Sequence, residues 1–154
     1  GLSDAERRAF RIRKVGFVFQ DFELIDYLDV RENILLPFRI NPALTLNSKV
    51  QEELNSLAES LGLTDKLKRR IDQLSQGEKQ RVAICRALLP RPEMVLADEP
   101  TGNLDPDNKR RIIEILFEQS TRTKATLVVV THDHSLLDGF DQVIDFEQFQ
   151  GRPA

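Results

Sequence analysis

Residues 93–133 read EMVLADEPTGNLDPDNKRRIIEILFEQSTRTKATLVVVTHD. Glu93 to Ala97 is a short apolar run that ends on two carboxylates, Asp98 and Glu99. Pro100, Thr101, Gly102 and Asn103 have turn composition. Asp105 then suits a helix N-cap and Pro106 the first helical position, while Ile112, Ile113, Leu116 and Phe117 supply a buried face. Ala125 to Thr131, ATLVVVT, is a second, fully apolar strand candidate. Two buried strands joined by a helix form a βαβ unit, which implies parallel strands with a right-handed crossover.

Working outward, VGFVF at residues 15–19 predicts another buried strand, closed by Gln20 and Asp21. Residues 22–90 read as mostly helical. One helix runs from about Val30 to Phe38 and meets Pro37. A second, from Ser48 to Leu61, sets Val50, Leu54, Leu57, Ala58 and Leu61 on one face, with Gly62 as its C-cap. A third begins at Ser75, whose S-x-x-E spacing to Glu78 is a capping box, and ends before Pro90 and Pro92. A short helix near Ser135 to Leu137 and a last strand, Gln142 to Phe146, close the chain. The expected fold is α/β, a parallel sheet core at both ends of the chain with a helical insertion between. Residues 1–20 and 91–154 belong to the core and 21–90 to the inserted helical subdomain.

The bulk numbers agree with an ordinary globular chain. Its 154 residues are 40% apolar and 31% charged, and 22 basic against 25 acidic side chains leave a net charge of −3. No basic excess is available to neutralise phosphates, so no nucleic-acid partner is expected. The local run Arg7, Arg8, Arg11, Arg13, Lys14 reads as a solvated helix or loop face. The single cysteine, Cys85, excludes an internal disulfide; with no signal peptide visible, a reducing compartment is expected. Among Val82, Ile84, Ala87 and Leu88 it reads as a buried, inert thiol. No apolar run approaches the ~20 residues of a membrane-spanning helix.

In open α/β sheets ligands sit beyond the carboxyl ends of the strands. Gln20, the pair Asp98–Glu99, and His132 all stand at such ends. One carboxylate of the pair could hold Mg²⁺ and the other orient a water, or both could simply be solvated strand-end charges. Ser75 to Glu78 offers helix N-terminal N–H groups to an anion, and Gly77 has no side chain to obstruct it; an ordinary capping box explains the same residues. His132 could bind a phosphate oxygen or a water. The spacing to His134 lacks the further ligands that a metal pair needs. Gln20 could ligate Mg²⁺ or close a turn.

Together these segments resemble the ATP-binding cassette (ABC) family. VGFVFQ is similar to its Q-loop segment (Gln20) and LSQGE to its signature (Leu74 to Glu78). MVLADE is similar to its Walker B run, GNLD to its D-loop, and VTHD to the segment with its switch histidine (His132). The string ADEPTGNLD resembles the bacterial subfamily of lipoprotein release and macrolide export. The resemblance implies a P-loop NTPase-like core, expected to be incomplete with its opening strands and phosphate loop missing. It implies ATP and Mg²⁺ as cofactors, with Asp98 on Mg²⁺, Gln20 on Mg²⁺ or the attacking water, Glu99 as general base and His132 at the γ-phosphate. It implies that Ser75, Gln76, Gly77 and Glu78 meet the ATP of the other subunit in a head-to-tail homodimer, with Asp105 at that interface. It further implies a transmembrane permease partner and a place on the inner face of the cell membrane. Gln76 stands where the family more often has Gly. The sequence contains no G-x-x-x-x-G-K-[S/T], since none of its seven glycines precedes a lysine. The backbone donors and lysine of the family's phosphate loop are therefore expected to be missing, and the chain alone is expected to be inactive. Two other readings are a degenerate cassette that only docks on partners and an ABC-type ATPase of DNA repair or translation.

Overall fold

The computed structural model describes residues 1, 3–102 and 104–149. Asn103 of the D-loop segment and residues 150–154 of the expected core lie outside them.

The chain opens with α1 (Asp4–Lys14) and β1 (Val15–Val18), followed by α2 (Val30–Ile40), α3 (Ser48–Ser60) and α4 (Gln76–Leu88). It continues through β2 (Met94–Asp98), α5 (Pro106–Thr123) and β3 (Thr126–Val130). Short 3₁₀ turns occupy Thr64–Lys66, Ile71–Gln73, His134–Leu136 and Phe146–Phe149. The three strands form a parallel sheet in the order β1-β2-β3.

The register sorts the strand residues. Gly16, Val95 and Leu127 align across the sheet, as do Val18, Ala97 and Val129. These six face the helices and the core, which α4 and α5 complete with Val82, Ile84, Leu88, Ile112, Ile115 and Leu116. Gly16 is pressed so closely on α4 that a Cβ there would lie 2.5 Å from the Ala87 carbonyl oxygen. The opposite face of the sheet carries Phe17, Met94, Leu96, Val128 and Val130, and Val130 is 53% exposed. The alternation along β3 is therefore half-buried against exposed. Continuous burial was expected of ATLVVVT, but among the described residues no helix covers that second face.

Local chemistry explains most boundaries. Asp29, Ser75 and Asp105 cap α2, α4 and α5, each accepting from a backbone N–H in the first turn. Gly62 follows α3 at φ 65°, the left-handed turn that glycine adopts without strain. Pro37 lies inside α2, which runs on to Ile40 rather than stopping there. The missing N–H of Pro37 costs one helical bond, and the neighbouring Ile34 and Leu35 are fully buried, so packing outweighs that loss.

Ser3 and Glu6 form a reciprocal capping box that starts α1. Its arginines and lysine lie on a helix with no buried residue. The strand predicted over 142–146 does not form. Residues 142–145 have no regular structure, and the chain turns into the 3₁₀ segment Phe146–Phe149. A strand is stabilised by a ladder partner. Val143 and Ile144 instead border an open groove beside the free edge of β3.

No helix among the described residues is long and apolar enough to cross a membrane.

Candidate functional site

β2 ends at Asp98, an exposed residue, and the chain leaves the strand at once. Glu99 adopts φ 42°, a left-handed conformation that costs a non-glycine residue about 1–3 kcal/mol. Asp98 and Glu99 are therefore separated by a break in the backbone as well as by strand alternation. Several hydrogen bonds hold the break. The Glu99 N–H donates to the Val130 carbonyl at 2.9 Å, and the Glu99 carbonyl accepts from the Gly102 N–H at 3.0 Å.

The β2–β3 register pairs Asp98 with Val130, which brings Glu99 beside the residues that follow β3. Its carboxylate receives three contacts there. Oε1 accepts from the His132 backbone N–H at 2.8 Å and lies 2.7 Å from His132 Nδ1. Oε2 accepts from the Thr131 hydroxyl at 3.2 Å. The Glu99 side chain is 18% exposed and that of His132 83%. The carboxylate is thus recessed while the imidazole projects outward. With Glu99 ionised, a contact of this length requires the hydrogen on Nδ1. Nε2 is then an acceptor in the neutral ring and a donor in the imidazolium.

A second tier fixes this end of the sheet. The Asp133 N–H donates to Thr131 Oγ1 at 3.0 Å, and Asp133 pairs with Lys109 of α5 at 2.9 Å. The Ser135 hydroxyl and the Lys109 ammonium draw the Asp133 carboxyl down to about 2. Gln20, exposed just beyond β1, reaches the loop after Glu99. A Cβ on Gly102 would stand 3.2 Å from Gln20 Nε2, so the amide lies against that glycine.

Ser75, Gln76, Gly77 and Glu78 form a separate group at the start of α4. The Ser75 N–H donates to Glu78 Oε2 at 2.8 Å, and Ser75 Oγ accepts from the Glu78 N–H at 3.3 Å. Burial pushes the Glu78 carboxyl up, but the Ser75 N–H and the Lys66 ammonium outweigh it, and the net shift is downward. Gly77 is buried, and a Cβ there would lie 3.0 Å from Oδ1 of Asn108, in the first turn of α5. Its missing side chain makes room for α5; access for an anion is not the only reason for glycine. Asn108 in turn donates to Asp105 through its side chain at 2.6 Å and its backbone at 3.1 Å. These bonds draw the Asp105 carboxyl down.

The structure therefore brings together Glu99 and His132, sets Gln20 against the loop between Glu99 and α5, and joins Gly77 to Asp105 through Asn108. Asp98 stands exposed at the end of β2, apart from this group. Thr131, Asp133, Lys109 and Asn108 were not picked out from the sequence. Only the register of β2 on β3 and the packing of α4 on α5 reveal them.

A family model described as "ABC transporter" matches residues 2–102, about two thirds of the chain. The chain belongs to the ABC transporter family. The ABC transporter ATP-binding protein YvcR of Bacillus subtilis is 41% identical over 132 residues, 86% of this chain and 50% of YvcR. The lipoprotein-releasing system ATP-binding protein LolD of Colwellia psychrerythraea is 39% identical over 155 residues, covering 99% of this chain and 58% of LolD. The macrolide export ATP-binding/permease protein MacB of Rhodopirellula baltica is 40% identical over 93% of this chain, which spans 21% of MacB. Among solved structures, the dimeric bacterial ABC transporter cassette MJ0796 superposes with a TM-score of 0.74 at 36% identity, over 88% of this chain and 59% of that one. A post-hydrolysis state of the same cassette, bound to ADP and Pi, matches equally well at 0.74. The chain thus spans between about a fifth and three fifths of the relatives and structures named here.

Proposed function

We propose that this ABC chain serves an ATP-hydrolysing cassette that drives a transmembrane permease from the inner face of the membrane. The reading rests chiefly on Glu99, a recessed carboxylate at the end of β2 held in a strained backbone and oriented by Thr131 and His132. A charged carboxylate has about four acceptor positions. The two His132 nitrogens occupy Oε1 and the Thr131 hydroxyl takes one position on Oε2, so Oε2 retains one for a water proton. That is the geometry of a general base whose oxygen is fixed before its partner arrives.

The residues fit one side of Mg-ATP. Asp98 and Gln20 would hold Mg²⁺, which prefers oxygen ligands and retains several waters. Among the described residues no group of three or more His, Cys, Asp or Glu could itself hold a metal. His132 Nε2, exposed beside Glu99, would meet the γ-phosphate and orient it. Bound Mg-ATP supplies the electrophilic phosphorus, and this chain supplies the base and its orientation. The sequence offers no glycine-rich loop for the α- and β-phosphates.

Ser75 to Glu78 would address the nucleotide of a second cassette in a head-to-tail dimer. The dimeric state of MJ0796 supports that arrangement. The export substrate class follows the same route: LolD and MacB relatives favour lipoprotein release or macrolide-type export.

A second reading is a docking module without turnover. Titration calorimetry with Mg-ATP separates the two. The chain alone should bind weakly or not at all. A version carrying a phosphate loop, from in-frame codons upstream of Gly1 or grafted from the MJ0796 cassette, should bind at micromolar concentration. Micromolar binding by the chain alone contradicts the assignment of the phosphate contacts. No binding by the extended version favours the docking module.

A further inference from the structure

Gln20 hangs on a turn that the local sequence does not explain. Phe22 and Glu23 follow it at φ 61° and 50°, two consecutive left-handed residues with neither glycine nor asparagine among them. Such a conformation persists only where surrounding groups impose it. Two short backbone bonds, Phe22 N–H to Phe19 O at 3.2 Å and Glu23 N–H to Asp21 O at 2.7 Å, close the turn from within. Its outward-facing carbonyls both point at one side chain. Arg86, near the end of α4, donates from one terminal nitrogen to the Phe22 carbonyl at 2.7 Å and from the other to the Glu23 carbonyl. The planar guanidinium fork suits two adjacent carbonyls, and a lysine ammonium cannot reproduce it.

The division of labour along this segment is sharp. Residues 25–29 are fastened to α2 by the fully buried Asn33. It accepts from the Ile25 N–H at 2.8 Å and donates to the Ile25 and Asp29 carbonyls at 3.1 and 3.0 Å. Residues 22–23 are fastened to α4 by Arg86. On the other side of Gln20, Gly16 of β1 packs on Ala87, the next residue of α4. Both backbone anchors around Gln20 therefore lead to the same last turn of α4, whose first turn carries Ser75 and Gly77.

We infer that Arg86 is a positioning residue for Gln20: its fork imposes the left-handed turn at Phe22–Glu23 and so keeps the Gln20 amide against Gly102 beside the Glu99 loop. This ties the signature helix to the glutamine through one side chain. The functional meaning rests on the reading of Gln20 as a nucleotide-site ligand. The structural claim is read without nucleotide, so the failure of one is distinguishable from the failure of the other. Burial lowers the Arg86 pKa, with the Glu23 charge opposing, in keeping with a guanidinium partly removed from water.

The test compares Arg86→Lys and Arg86→Met in the full chain by hydrogen exchange and by NMR of the Gln20 side-chain amide. Exchange over residues 19–24 should rise at least tenfold in both variants, and the Gln20 amide signals should move toward those of free glutamine. Peptides from α5 and β3 should keep their rates. Gly102→Ala, which touches the amide directly, should move the Gln20 signals and leave exchange at residues 22–23 unchanged. Unchanged exchange and unchanged Gln20 signals in both Arg86 variants overturn the inference. A rise of equal size in every segment also overturns it, because that reports only lost stability. Should a variant fail to fold, the native protein decides: the Arg86 guanidinium should show resolved, slowly rotating Nη signals, and free rotation contradicts the clamp.

Discussion

Replacing Gly16 by alanine tests the contact through which α4 seats on the sheet. The added Cβ would lie 2.5 Å from the Ala87 carbonyl oxygen, 3.2 Å from the Ala87 carbonyl carbon and 3.1 Å from Cγ of Pro92. Carbon and carbonyl oxygen ordinarily approach no closer than about 3.3 Å, so the strand and helix must separate by roughly 0.8 Å. The nearest atom belongs to the helix backbone of the buried Ala87, beside the buried Leu88, and it cannot rotate aside. Overpacking of this kind costs about 1–3 kcal/mol. The loss of glycine freedom in the unfolded chain returns about 0.4–1 kcal/mol. The net expectation is a destabilisation of roughly 1–2 kcal/mol, which in a domain of this size lowers Tm by about 2–8 °C. Thermal melts followed by circular dichroism, with urea titrations for the free energy, measure it. A Tm equal to the parent's or higher would refute the packing of β1 against the last turn of α4.

Three further outcomes follow from the same structure. The Asp133 carboxyl is held at about 2 by Ser135 and Lys109. Its depressed value means that its contribution to stability is complete above about pH 4 and is lost as pH falls through 2; a carboxyl-carbon NMR titration should give a midpoint near 2, and one near the ordinary aspartate value contradicts the pairing. Cys85 is fully buried and burial pushes its thiol pKa up, so a thiol reagent should label it only at the rate of global unfolding; rapid labelling of native protein would place it at the surface. The sheet face with exposed Met94, Val128 and Val130 should drive concentration-dependent self-association in sedimentation, and a monomer at every concentration would count against that exposure.

Much of this structure is legible from local chemistry. The caps at Ser75 and Asp105 and the glycine at position 62 mark helix ends because each satisfies a specific backbone requirement. The parallel pairing of β2 and β3 follows from two apolar runs separated by one amphipathic helix. The strand expected at 142–146 shows the limit. Apolar alternation states that a segment can pair, and whether a partner lies beside it is a property of the whole sheet. The opening helix was legible in Ser3 and Glu6 but was masked by the polarity of its surroundings. In the site, the polar residues and their convergence at the strand ends are legible from the pattern, yet their individual contacts are not. Only the register that pairs Asp98 with Val130 carries Glu99 to His132. The left-handed backbone at Glu99, the seat of Gly77 against Asn108 and the Arg86 fork leave no periodic trace. Each joins residues that are distant in sequence and small in number.

The central claim is that Glu99 takes the proton from the attacking water. It is tested most directly by Glu99→Gln in a version of the chain that carries a phosphate loop. The amide preserves the shape of the carboxylate: its oxygen can accept from the His132 N–H while its NH2 group donates to Thr131 Oγ1, where Glu99 accepts, but it cannot take a proton. ATP binding should stay within a few-fold of the parent, while turnover should fall about 10²–10⁴-fold. A variant that hydrolyses ATP within a few-fold of the parent would contradict the assignment of Glu99 as the base.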